Sequence, residues 1–353
     1  MFIRELGFSF YGVSIMSSKE KKPSTKKTKT TQVGIKDLST KIKQIKESIS
    51  KVIVGQEEVI EAMIAAVIAD GHVLLEGVPG IAKTLMARAL ARAISADFKR
   101  IQFTPDLMPS DVTGVMAFRP ETGDFYFKQG PVFTNLLLAD EINRAPPKTQ
   151  AAMLESMQEK QVSVEKKTYE LPAPFIVFAT QNPIETEGTY PLPEAQIDRF
   201  AFKVLVTYPE ENEEVEIVNR FTGEYDSYDK LEDIKPVLSS DEVLELQKFV
   251  RKEVSISDDL AKYIVRIVNL TRESEEVYMG ASPRASLWMT IAAKATAAMN
   301  GRKYVNPIDI QKVAKNVLRH RVLIKPEYEF DGTTSEIIID RILKHTPAPS
   351  VQT

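Results

Sequence analysis

The chain has 353 residues, of which 43% are hydrophobic and 27% charged, and its 46 Lys and Arg stand against 49 Asp and Glu for a formal charge of −3. That length fits two domains with buried cores, and the balance excludes a largely disordered chain, a membrane-embedded one and a globally basic nucleic-acid binder. With no cysteine there can be no disulfide framework, thiolate zinc site or cysteine nucleophile, which fits a reducing compartment such as the cytoplasm; His72, His320 and His345 lie too far apart for a helical metal site.

Residues 1–16 lack the continuous apolar stretch of a secretion signal, and translation is expected to be able to begin at Met16. Residues 17–34 carry six lysines and one Glu with no large apolar side chain before Val33, so 1–36 is read as a flexible basic tail. Helical periodicity starts from Ile35. Between His72 and Pro209 short apolar runs at 73–75, 100–103, 135–138, 175–179 and 202–206 alternate with helical stretches such as 83–95 and 147–160. This pattern predicts a parallel α/β sheet. Two stretches, 115–130 and 161–171, read instead as hairpins inserted into that core, and their apolar residues serve either local packing or substrate contact. After Pro209 no buried strand is expected, and amphipathic helices follow at 210–221, 240–254, 258–271, 283–299 and 307–318. The organisation expected is therefore an α/β core over 37–209, an α-helical domain over 210–347 and a short tail at 348–353. No apolar run approaches the roughly 18 to 20 residues that span a bilayer.

Within the core, Gly77-Val78-Pro79-Gly80-Ile81-Ala82-Lys83-Thr84 follows the strand run VLLE and precedes the helix LMARALARAIS. A glycine-rich turn aims backbone N–H groups at phosphate oxygens, the helix N-terminus adds positive potential, Lys83 reaches the β- and γ-phosphates and Thr84 can ligate Mg²⁺. The usual loop has glycine before the lysine; Ala82 stands there, and its methyl group implies an ordinary helical conformation at that residue. The run Leu136-Leu137-Leu138-Ala139-Asp140-Glu141 ends an apolar strand in two carboxylates, Asp140 to hold Mg²⁺ through water beside Thr84 and Glu141 to polarise an attacking water. Asn182, after the strand run FIVFA, is either a γ-phosphate contact or part of an ordinary Asn-Pro turn. Ser282 reads as an N-cap and Pro283 as the first helical residue, which puts Arg284 in a first turn where the dipole disfavours a cation and so points to a nearby anion; a plain exposed arginine is the other reading.

The runs IVGQEEVI, HVLLEGVPGIAKT, LLLADEINRAPPKTQAAMLESMQE, ATQNPIETEGTYPLPEAQIDRF and GASPRASLW resemble the MoxR family of AAA+ ATPases, over approximately Leu38 to Lys344. Ala82 departs only from the generic loop and agrees with that family's own. The resemblance implies a five-stranded AAA+ core, an α-helical lid and nucleotide sites shared between neighbours in a ring, usually hexameric. It makes Gly77, Val78, Pro79, Gly80, Ile81, Ala82, Lys83, Thr84 and Leu85 the phosphate-binding set, Ile53 and Val54 the adenine pocket beside Gln56, Asp140 and Glu141 the metal and water residues, and Asn182 the γ-phosphate sensor. Arg284 becomes the lid sensor that contacts ATP, and Arg199 the arginine finger lent to a neighbour's site, with Arg144 its rival and a surface pair between Arg199 and Asp198 the plainer reading. The hairpins would be the insertions of the branch that includes magnesium chelatase and the replicative helicases.

The function expected is Mg²⁺-dependent ATP hydrolysis coupled to remodelling, activation or maturation of protein partners, including metal or cofactor insertion; the resemblance implies partners with von Willebrand factor A domains. Two other classes stand beside it. A DNA-translocating motor would need basic hairpins, yet Arg119 and Lys128 sit beside Glu121 and Asp124, and Lys166 and Lys167 beside Glu165 and Glu170. An ATP-gated scaffold with negligible turnover would not need Glu141 and Arg199.

Overall fold

A computed structural model describes residues 35–184, 188–222 and 229–349. Residues 1–34 of the basic tail and the last four residues lie outside them; Ile35 and Lys36, read as the end of that tail, are instead the first residues of a helix. The chain opens with two helices, α1 (Ile35–Ser50) and α2 (Glu57–Ala69), before strand β1 (Val73–Glu76) and α3 (Lys83–Ala93). There follow β2 (Phe98–Gln102), the short α4 (Pro109–Thr113), the hairpin β3 (Gly114–Arg119) and β4 (Asp124–Gln129), β5 (Leu136–Asp140) and α5 (Pro147–Glu159). A second hairpin, β6 (Gln161–Val164) and β7 (Lys167–Glu170), precedes β8 (Ile176–Gln181), α6 (Glu194–Ile197) and β9 (Phe202–Leu205).

Strands β2, β5, β8, β1 and β9 form one parallel sheet in that order. Its residues alternate between two cores. Val73, Leu75, Leu136, Leu138, Ile176 and Phe178 face the layer that contains α2 and α3, whereas Leu74, Leu137, Ala139, Val177 and Ala179 face the layer of α5. Burial on both faces is why these strands read as continuous apolar runs. The sheet is the one expected, and both hairpins fall where the turn signals put them. Strand β2 begins two residues earlier than its hydropathy suggests, because it is an edge strand whose Lys99 and Arg100 stay exposed while its backbone pairs with β5. The hairpins lean on each other through stacked Phe127 and Tyr169, 4.3 Å between ring centroids, while Phe118 and Phe125 on the first remain exposed.

The helical part comprises α7 (Glu211–Phe221), α8 (Ser240–Glu253), α9 (Asp258–Glu273), α10 (Pro283–Met299), α11 (Pro307–Leu318), α12 (Pro326–Phe330) and α13 (Ser335–His345). Helices α8 and α11 start at recognisable caps: Ser239 accepts the Glu242 N–H and Asn306 the Asp309 N–H. One difference from expectation is a small antiparallel ribbon, β10 (Val277–Met279) with β11 (Leu323–Ile324). Strands of three and two residues are too short to show alternation. This part does not form a separate core. The core containing Ile64, Val67 and Ile68 of α2 continues through Val243 and Leu246 of α8 to Met289, Ala292 and Ala293 of α10. Gly71, just before β1, allows the close approach of the lid's Trp288: a Cβ there would lie 3.1 Å from the indole and 2.5 Å from the Ala201 Cβ.

Two buried histidines make stability depend on pH. The His72 Nδ1 accepts the Val177 N–H at 3.0 Å and its Nε2–H donates to the Met157 carbonyl at 3.0 Å, which fixes a neutral ring. Burial, reinforced by Lys160, pushes its pKa down to about 4; burial and then Arg321 push His320 well below the usual histidine value of 6.5. In the unfolded chain both rings take a proton below about 6.5 while the folded ones resist. Stability is therefore full above pH 6.5 and falls as the pH drops from there toward 4, by about 1 kcal/mol per pH unit for each ring. Denaturant titrations at pH 7.5, 6.0 and 5.0 should show this slope, shallower in His72→Gln; equal slopes in the two proteins would refute the assignment.

Candidate functional site

The parallel order brings the C-terminal ends of β1, β8 and β5 side by side, with β8 in the middle, at the sheet edge where doubly wound folds hold ligands. From β1 the chain turns through Gly77, where a Cβ would lie 2.4 Å from the Val206 carbonyl oxygen, and Gly80, at φ +86° with open space around it. The Gly77 N–H donates to the Gln181 carbonyl at 3.2 Å, tying the loop to the end of β8. Ala82 departs from the helical conformation expected of it: it lies in the left-handed region, φ 57°, ψ 19°. The loop enters α3 through that conformation, with Ala82 as the N-cap whose carbonyl accepts the Met86 N–H at 2.9 Å. The methyl group costs about 1 kcal/mol or more there, which the rest of the loop must hold against.

The N-terminus of α3 has no side-chain cap and no acidic residue in its first turn, unlike α8 and α11. Its orphan backbone donors and dipole therefore suit an external anion. Lys83 reaches back over the loop, donating to the carbonyls of Gly77 and, at 3.1 Å, Val78. Burial lowers its pKa, while Asp140, Glu141 and Glu76 oppose that shift. Lys83 and the acidic pair thus share one electrostatic environment.

At the end of β5, the buried Asp140 accepts the Thr180 hydroxyl on Oδ1 at 2.6 Å, and Arg100 on Oδ2 through Nε at 2.9 Å and Nη2 at 2.6 Å. The same Thr180 oxygen accepts the Glu141 N–H at 2.8 Å, so one hydroxyl of β8 orients both acidic residues. The Glu141 Oε2 accepts Gln102 Nε2 at 2.8 Å and Arg144 Nη1 at 3.0 Å. Arg100, Gln102 and Thr180 were not apparent from the sequence. Their signal is positional: β2 pairs in register with β5, Gln102 opposite Asp140, and Thr180 follows Ala179, the β8 partner of Ala139; hydropathy carries no trace of it.

Asn182 directly follows β8, beside the loop-binding Gln181, and its Oδ1 accepts the Ile184 N–H at 3.2 Å, the local turn bond of the plainer reading. Ile53 and Val54 are buried, and Gln56 ties their segment to the end of the sheet by donating to the Thr207 carbonyl at 2.8 Å. Arg199 follows α6 and is half-buried; the charges acting on it are Arg284 and the α5 residues Glu155 and Glu159, with burial the main cause of its lowered pKa. Asp198 pairs with Arg284 at 3.2 Å and Arg321 at 2.6 Å, rather than with Arg199 as the plainer reading had it. Arg284 is not an exposed arginine, and Asp198, just after α6, is an anion beside it; Ser282, at the N-cap position, directs its hydroxyl to Asp198 instead of to the helix backbone.

A glycine-containing turn, a capless helix N-terminus and two acids at a neighbouring strand end are the arrangement of a P-loop nucleotide-binding fold. Residues 72–202 match the ATPase family associated with various cellular activities, AAA, and residues 269–342 match the AAA lid domain. The chain is 46% identical over 313 residues to YeaC of Bacillus subtilis, covering 89% of this chain and 96% of that protein. It is 43% identical over 330 residues to the chaperone MoxR1 of Mycobacterium tuberculosis, covering 90% and 86%. A crystal structure of a Cytophaga hutchinsonii protein, provisionally described as an ATPase, superposes with a TM-score of 0.82 at 42% identity over 90% of this chain and 97% of that one. The chain belongs to the MoxR family of AAA+ ATPases.

Proposed function

We propose that the chain is an ATP-hydrolysing member of this family, dependent on Mg²⁺, whose turnover remodels, activates or matures protein partners. The observation that carries the reading is the acidic pair held by one Thr180 hydroxyl at the strand end between which and β1 only β8 intervenes, within the electrostatic reach of Lys83. The donor set fits the group: uncapped backbone N–H groups from Gly80 to Leu85 with Lys83 suit phosphates, and the hard oxygens of Thr84 and Asp140 suit Mg²⁺. Bound there, Mg²⁺ would offset charge on the phosphates. Glu141 accepts the proton of the attacking water, Asn182 orients that water or the γ-phosphate, and Ile53 and Val54 flank the base.

In this reading residues 37–209 act as the core and 210–347 as the lid, and the protein works as a ring, hexameric as in the family, in which Arg199 completes a neighbour's site. Partners with von Willebrand factor A domains and a cytoplasmic location belong to the same proposal. Among the described residues no helix is long and apolar enough to cross a membrane. A second reading, an ATP-gated scaffold, draws support from the bonds that Gln102 and Arg144 make to Glu141, since an acid so engaged is withheld from water. Steady-state Mg-ATP turnover per protomer across a range of protein concentrations separates the two. Turnover that rises with concentration is expected; flat, negligible turnover with retained ATP binding would replace the enzyme with the scaffold.

A further inference from the structure

The segment 198–201 is gripped from the lid at two places. The Asp198 Oδ2 accepts Arg284 Nη1 at 3.2 Å and the Ser282 hydroxyl at 3.3 Å, both from the start of α10. Its Oδ1 accepts Arg321 Nε at 2.6 Å. Arg321, just beyond α11, is almost fully buried and fastens the backbone as well, its Nη2 donating to the carbonyls of Asp198 at 2.9 Å and Phe200 at 2.6 Å and its Nη1 to that of Ala201 at 3.3 Å. The adjacent His320 adds a bond from Nε2 to the Phe200 carbonyl at 3.1 Å. Arg199 lies inside the gripped segment.

The two carboxylate oxygens are not equivalent. The bond to Arg321 is short, comes from a buried guanidinium and is backed by that group's bonds to three carbonyls of the segment, so it anchors. Arg284 approaches at a longer distance from a helix first turn, where the dipole opposes its charge. One carboxylate serves two guanidinium groups, and Arg199 is close enough to Arg284 to be affected by its charge. Glu155 and Glu159 of α5 offset Arg199, so the carboxylate shared between Arg284 and Arg321 is that of Asp198, and Arg284 is the partner held at the longer distance.

We propose that Asp198 is a positioning residue that competes with nucleotide phosphate for Arg284: the arginine rests on Oδ2 and transfers to the phosphate, while Arg321 keeps Asp198, and with it Arg199, in place. The inference rests on Arg284 being a nucleotide contact. An arginine held by Asp198 part of the time lowers apparent nucleotide affinity by the fraction of time it is held. A purely structural Asp198 would have the opposite signature, since its loss would loosen the lid and weaken binding.

Binding of ADP and of a non-hydrolysed Mg-ATP analogue to wild type, Asp198→Asn, Arg284→Ala and the double variant tests this. Asn keeps the shape and one oxygen acceptor for Arg321. Asp198→Asn is expected to bind about three- to tenfold tighter, Arg284→Ala weaker, and the double variant like Arg284→Ala, because the gain needs the arginine. If Arg284→Ala leaves affinity unchanged, the reading of Arg284 as a nucleotide contact fails and takes the proposal with it. If Arg284→Ala weakens binding but Asp198→Asn does not tighten it, or tightens it equally without Arg284, that reading stands and the competition is overturned. Should Asp198→Asn not accumulate as folded protein, Asp198→Ser, which removes the same charge, keeps an oxygen acceptor and leaves Arg321 in place, is used in the same comparison with the same outcomes.

Discussion

Replacing Glu141 by Gln is expected to lower ATP turnover by about 10²- to 10⁴-fold, the range for losing a positioned general base, while ATP binding is retained. The substitution preserves volume and the position after β5 that Thr180 sets through the Glu141 N–H. An amide oxygen can still accept from Gln102 or Arg144, so the local network survives. What disappears is a carboxylate able to take the proton of a water. Turnover and equilibrium ATP binding measured on one preparation check the result. Turnover within tenfold of wild type would remove Glu141 from the chemistry; binding lost along with turnover would show that the substitution disturbed the neighbouring loop instead.

Arg199→Ala is expected to lower turnover by about 10³-fold or more, the effect of removing a guanidinium from developing phosphoryl charge. Because this arginine would serve a neighbouring copy, the defect should be reparable by mixing. Arg199→Ala subunits keep a complete acidic pair and Glu141→Gln subunits keep Arg199, so a mixed ring contains interfaces that join one intact half from each. With random equal mixing, about a quarter of the interfaces combine the two, and activity should recover to about that share of wild type. Arg144 makes the contrasting case. Its bond to Glu141 lies within one chain, so an Arg144→Ala defect would not be repaired by Glu141→Gln subunits. Mixed Arg199→Ala and Glu141→Gln preparations that stay as inactive as either alone would exclude Arg199 as a residue lent between subunits.

The parts of the fold legible in the sequence were those whose signals are local. Helices α10 and α11 match their expected limits because Pro283 and Pro307 stand at the first helical position after Ser282 and Asn306. The loop from Gly77 to Ala82 was legible as a turn between a strand and a helix because its glycines and proline interrupt the apolar run and the helical periodicity on either side. The environment of those residues was not. Ala82 adopts a left-handed conformation that an alanine would not choose alone, at the point where the loop enters α3. The bonds of Arg100 and Gln102 to the acidic pair depend on strand register, and those of Arg321 to Asp198 join residues 123 positions apart. Nothing in periodicity or capping chemistry encodes such meetings.

The chain's single tryptophan sits in the seam between lid and core. Trp288 lies about one turn beyond Arg284 on α10, 8% exposed, with Gly71 left bare of a side chain to admit it. The protein therefore has a built-in optical gauge at the joint where a nucleotide-driven displacement would register. Indole emission shifts to longer wavelength when water reaches the ring, so a steady spectrum through the nucleotide cycle would describe a lid that rides rigidly on its core, and a red shift would describe a seam that opens.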